Sequence, residues 1–165
     1  PLDSRIVFVA SERNRIFSFT SNTSTNPADS GDIEANFVVN NWQDLNPVLK
    51  DFDLGRNFRD FVICNKDGKM FIATNQTILR SGDQGITWEK ISLIQPEKDA
   101  VVNSLAVDPQ NSDNLFYVTN TTFFRSTDGG VTWSTRKLPT SRAGRTLLVD
   151  FKNPNNIYLG TIKLK

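Results

Sequence analysis

Hydrophobic residues recur at every second position, or gather in short β-branched and aromatic runs, along nearly the whole chain. Spacing of three or four, which a helix would need, is nowhere sustained. Alternation sends one side chain to a core and the next to solvent, so each run predicts a short half-buried strand. The clearest are 60–65, 70–74, 77–81 and 86–92, followed by 104–108, 115–119, 123–126 and 131–135. Asn, Asp, Gly, Pro and Ser fill the gaps between them, as turns require.

These two groups of four strands copy each other. Residues 70–90 read MFIATNQTILRSGDQGITWEK, and residues 115–135, 45 positions on, read LFYVTNTTFFRSTDGGVTWST. The pairs Phe71/Phe116, Thr74/Thr119, Arg80/Arg125, Asp83/Asp128 and Trp88/Trp133 are among those that match. A period of about 40–50 residues in a strand-rich chain marks a propeller or array in which each repeat is one small sheet. A further copy starts at 146–150, turns over 151–156 and continues at 157–161, with Val149-Asp150 and Tyr158 standing 42 positions after Val107-Asp108 and Phe116. Before the two full repeats lies a degenerate one. It has strands expected at 5–10, 15–20 and 36–42, a polar loop at 21–31, and Trp42 placed 46 positions before Trp88.

The expected fold is therefore all-β: blades of four antiparallel strands forming a partial propeller, with blade 1 over about 1–50, blade 2 over 57–95, blade 3 over 101–140 and the start of blade 4 over 144–165. Both ends are incomplete as blades, so the expectation is a piece of a longer propeller. Open sheet edges make self-association an expected property of such a piece.

One motif recurs in register at the turn between third and fourth strands. It stands at Ser81, Asp83, Gly85, Thr87 and Trp88, and again at Ser126, Asp128, Gly130, Thr132 and Trp133. Aspartate accepts backbone N–H groups across a reversal, and glycine supplies the positive φ that closes it. Threonine suits the strand that follows, and tryptophan fills the gap beside a neighbouring sheet. The pattern resembles the Asp-box, or bacterial neuraminidase repeat, family of β-propellers, which includes sialidases, xyloglucan-type endoglucanases, sortilin receptors and photosystem II assembly factors. The resemblance implies that both boxes serve folding, on the rim away from the usual ligand face, so that Asp83 and Asp128 are structural and not catalytic.

Composition narrows the chemistry. The chain has no histidine and one cysteine, Cys64, within an apolar run. This removes the usual general base, every Ser-His or Cys-His arrangement, an internal disulfide and a thiolate metal site. Cys64 reads as a small buried hydrophobe, and neither a metal nor a cofactor is expected. A sialidase needs an arginine cluster with a Tyr–Glu pair. Its Ile-Pro opening is missing after Phe58-Arg59, and Tyr117 and Tyr158 both read as core. A glycanase needs two facing carboxylates, for which Asp60, Asp108 and Asp150 are the candidates; the last two begin equivalent turns, where capping explains them.

Charge is lopsided about a net +1. Residues 136–165 hold seven bases against one acid, leaving −5 on the first 135. The bases Arg136, Lys137, Arg142 and Arg145 fall between the third and fourth blades, where propeller loops reach the central face, and are the candidate partner-binding residues. The functional expectation is a non-catalytic scaffold that binds a protein or carbohydrate ligand, with Trp42 and Phe52 as further contact candidates. The alternative is a fragment of a secreted glycoside hydrolase. Nucleic acid is not an expected partner, since no phosphate cradle is present, and no apolar run is long enough for membrane insertion. An extracellular, cell-surface or periplasmic location goes with this family.

Overall fold

The computed structural model describes residues 6–10, 16–20, 42–52, 54, 58–94 and 101–163. A first sheet pairs β1 (Ile6–Ala10), β2 (Ile16–Thr20) and β3 (Trp42–Asp44) in that order, followed by the four-residue helix α1 (Asn46–Leu49). The second holds β4 (Phe58–Ile63), β5 (Met70–Thr74), β6 (Ile78–Ser81) and β7 (Glu89–Ile91) in sequence order. A third repeats it with β8 (Ser104–Asp108), β9 (Asn111–Val118), β10 (Thr122–Ser126) and β11 (Ser134–Lys137). The last pairs β12 (Ala143–Val149) with β13 (Ile157–Ile162). Every pairing is antiparallel, and the successive first strands β4, β8 and β12 touch. Sheets joined edgewise within a repeat and face to face between repeats are propeller blades.

Strand alternation explains how they stack. In the third blade Leu105, Val107, Leu115, Tyr117 and Phe124 point back, packing with Cys64, Phe71, Ala73, Ile78 and Ile91 of the second. Ala106, Phe116 and Val118 point forward, onto Leu147 and Val149 of the fourth. The second blade's other face carries Met70, Ile72, Leu79 and Trp88, covered by Leu45 and Leu49 from around α1. Phe71 and Ile72 are both fully buried although they are neighbours, because each blade has a core on both faces. Burying a side chain of that size contributes about 1.5–3 kcal/mol.

Several boundaries differ from those expected. The turn predicted over 109–114 is shorter, because Asp108 pairs with Asn111 and β9 begins at once. The fourth strands start only after Trp88 and Trp133, since the residues before them are committed to the box turn. In the first blade the third strand is Trp42–Asp44; 36–41 and the polar loop 21–31 lie outside the described residues. Phe52 is not free for ligand but packs on the core shared by α1 and the second blade. Tyr158 is not core: it is 53% exposed, whereas Tyr117 is 1% exposed. Cys64 is buried as expected, and burial pushes its thiol up.

Candidate functional site

Each blade has two ends, and they do different work. One carries the Asp boxes together with the turns between first and second strands. In the box of the second blade, Asp83 Oδ1 accepts the Ser81 hydroxyl (2.8 Å) and the Thr87 N–H (2.9 Å), while Oδ2 accepts the Thr87 hydroxyl (2.5 Å). Ser81 Oγ in turn accepts the Gly85 N–H at 2.8 Å. Asp128 repeats the set with Ser126, Thr132 and Gly130. The threonine hydroxyl, then its N–H, holds each carboxyl at about 2. An acid so saturated with donors, and so far below neutrality, cannot deliver a proton to a leaving group.

The indoles close the boxes differently. Trp88 Nε1 donates to Gly85 O of its own turn at 3.1 Å, while Trp133 Nε1 reaches Ser92 O of the preceding blade at 2.9 Å. Asp67 accepts Ser112 Oγ across the same seam, and Arg80 Nη1 donates to Gly129 O at 3.1 Å. Asp108 and Asp150 cap turns at this end. Asp108 accepts the Gln110 N–H (2.8 Å) and Asn114 Nδ2 (2.9 Å); Asp150 accepts the Lys152 and Asn153 N–H groups (2.8 and 3.0 Å) and the Tyr158 hydroxyl (3.1 Å).

The opposite end gathers the chain's polar first-strand residues. Asp60, beside an irregularity in the β4–β5 pairing, accepts the Leu105 N–H of the next blade at 2.7 Å. Ser104 Oγ does the same for the Leu147 N–H at 3.0 Å. Burial raises the Asp60 carboxyl above its ordinary value, against the Leu105 and Ser104 hydrogen bonds and the charges of Arg59 and Arg145. Asn103 Nδ2 lies 2.8 Å from both Asn120 Oδ1 and Gly144 O. Arg59 Nε is buried with no hydrogen-bond partner.

The four candidate bases divide. Arg136 and Lys137 belong to β11, the exposed outer strand of the third blade, and not to an inter-blade loop. Lys137 pairs with Thr122 at the Arg59 end of its sheet; Arg142 lies in the turn just before β12, and Arg145 is on β12 itself. The sequence reading passed over Arg59 as a failed sialidase motif. Its repeat equivalence to Arg145, one residue before the acceptor position, was the available signal. Asp60 and Asp108 stand at opposite ends of the blades, so the carboxylates proposed for a glycanase do not face one another. Among the described residues no group of three metal-ligating side chains occurs, and no helix is long and apolar enough to cross a membrane.

Solved structures place this architecture among known propellers. The extracellular domain of a one component system from B. thetaiotaomicron superposes with a TM-score of 0.62 at 12% identity, covering 97% of this chain and 19% of that one. An ancestral GH74 enzyme gives 0.59 at 18% identity, over 94% and 20%, and the GH74 enzyme of Niastella koreensis gives 0.54 at 16%, over 93% and 27%. This chain thus spans about a fifth to a quarter of the length of those proteins. The likeness at such identity shows the fold alone. No curated protein matches the sequence. One family model does, over residues 76–163, a little more than half of the chain, and those residues hold both Asp boxes. The chain is an Asp-box propeller segment and belongs to the Sortilin-Vps10 family, described as sortilin, neurotensin receptor 3.

Proposed function

We infer that this segment is a non-catalytic binding scaffold whose ligand is an acidic protein segment. The contact surface is the blade end opposite the Asp boxes. The observation that carries this is Arg59 Nε, a buried donor without an acceptor, at the end where Lys137, Arg142 and Arg145 also lie. An arginine donor held out of water gains most from a carboxylate that completes its hydrogen bonds. Asp60 takes part of the local positive charge, but its own oxygen is occupied by the Leu105 N–H. The family description, which names a neurotensin receptor, supports a peptide over a glycan as ligand. A secreted or cell-surface setting follows from the same reading, and the domain from B. thetaiotaomicron is itself extracellular.

The test is binding of an aspartate- and glutamate-rich peptide, with an acidic glycan in a parallel arm and β-glucans offered as substrates. Arg142→Glu combined with Arg145→Glu should weaken peptide binding by at least tenfold, and raised salt should weaken it in the unaltered chain. Unchanged affinity in the double variant rejects the surface. Preference for the glycan rejects the peptide, and turnover of a β-glucan rejects the scaffold.

A further inference from the structure

We propose that the forward side of the third and fourth blades is a seat for a strand–Asp box–strand hairpin supplied in trans. The second blade shows what fills such a seat. Its forward side is covered by the third blade's own outer hairpin: Arg80 Nη1 donates to Gly129 O, Ile91 lies against Gly130, and Trp133 Nε1 donates to Ser92 O. One repeat on, the corresponding positions are Arg125, Arg136 and Lys137, and all three are exposed.

The space beside them is open. A groove of about 330 Å³, lined by Arg125, Thr127, Thr132, Trp133 and Ser134, lies where the next box would meet Arg125 as Gly129 meets Arg80. Arg125 instead rests over the Phe116 ring at 5.9 Å. Beside the groove, β13 pairs with β12 alone among the described residues, whereas β5 and β9 each carry a third strand. The fourth blade's forward face is apolar and bare, with Leu148 63% and Tyr158 53% exposed, while the equivalent Ala106 and Phe116 are 5% and 3% exposed. A free strand edge, an apolar face and a cation awaiting a carbonyl fit one occupant in common. It is an antiparallel hairpin placing its first strand on β13 and its box on Arg125.

Register fixes the docking. In the third blade Leu115, Phe116, Tyr117 and Val118 pair with Ser126, Arg125, Phe124 and Phe123. Ile157, Tyr158, Leu159 and Gly160 should therefore pair with a Ser, an Arg and two apolar residues, the order found in β6. The chain's own residues 77–92 are the probe. They are offered as a free synthetic peptide and, in a second arm, joined behind Lys165 by a Gly-Ser linker, which raises the effective concentration to about millimolar.

Hydrogen exchange at Ile157–Ile162 should slow at least tenfold in the linked form and on titration of the free peptide. Arg125→Glu should weaken the free peptide by about tenfold, the loss expected for one charge-assisted hydrogen bond. Unchanged exchange at Ile157–Ile162 in the linked form overturns the proposal. So does equal protection by a scrambled peptide, or protection of Ile6–Ala10 in place of Ile157–Ile162. Slowing that rises with chain concentration in the absence of any hairpin also overturns it, by making a second copy the occupant.

Discussion

Ile91 of the second blade lies against Gly130 of the third, so that a β-carbon on that glycine would overlap the isoleucine side chain. Leu45 bears the same relation to Gly85 one repeat earlier, with 3.1 Å between its methyl and the position a β-carbon would take. Each box thus closes on the fourth strand, or the residue just after the last strand, of the blade before it. Gly130 also sits at φ +90, where a side chain costs about 1–2 kcal/mol. Overpacking adds about 1–3 kcal/mol. Gly130→Ala should therefore destabilise the chain by about 2–5 kcal/mol, read as a fall in the denaturant midpoint. Gly82→Ala, with nothing near its β-carbon, should stay within about 0.5 kcal/mol.

Acid should loosen the boxes within a defined window. Asp83 and Asp128 ionise at about 2 in the folded chain, against 3.8 for the free side chain. A lowered carboxyl contributes stability that is complete above 3.8 and is lost as pH falls through about 2. Asp83→Asn with Asp128→Asn cannot accept both the hydroxyl and N–H donors of the threonine. The gap in melting temperature between wild type and this double variant should be constant near neutrality and shrink between pH 4 and pH 2. A gap that stayed constant down to pH 2 would contradict the assigned hydrogen bonds.

Local interactions were legible in the sequence, and those between blades were legible only in part. Every bond within an Asp box spans four residues or fewer, so Asp83 and Asp128 disclosed their role through spacing alone. Asp60 did not, because its partner Leu105 is 45 residues away and its counterpart in the next blade is a serine. The position keeps an acceptor, not a residue type. Tyr158 misled for a different reason. It aligns with Phe116, but exposure depends on what covers the following face, and that information is not carried in its own repeat. The basic run 136–145 read as a loop because the strand after the box was placed too early. The box holds the chain through Thr132, so β11 starts at Ser134 and takes Arg136 and Lys137 with it.

Asp60 should behave oppositely to the boxed acids. Its carboxyl is raised by burial, with Arg59 and Arg145 the charged groups facing it. A raised acid favours the folded state most below its unfolded value, and that advantage is lost as pH rises through the folded one. Asp60→Asn keeps an oxygen for the Leu105 N–H while removing the ionisation. Relative to wild type it should gain stability as pH is raised above 3.8, levelling off once the wild-type acid is fully ionised. Asp60→Ala leaves that N–H without its acceptor and should cost about 1–3 kcal/mol at every pH. Parallel pH profiles for wild type and Asp60→Asn would show that the carboxyl is not perturbed.

The two tyrosines offer the sharpest contrast between a closed seam and an open face. Tyr117 stacks on Phe124 with ring centres 4.1 Å apart and meets Trp133 edge-on at 4.8 Å, all inside the core between the second and third blades. Tyr158 lies one blade on, on a face that nothing described covers, with its hydroxyl turned to Asp150. Tyr117→Ala removes a buried ring and both aromatic contacts, and should cost about 3–5 kcal/mol. Tyr158→Ala removes a half-solvated ring and one exposed hydrogen bond, and should cost about 1 kcal/mol or less. Urea unfolding of the two variants measures the difference directly. Comparable losses would mean that Tyr158 is covered in solution, and hence that the fourth blade's forward face is occupied by a copy of the chain even without an added hairpin.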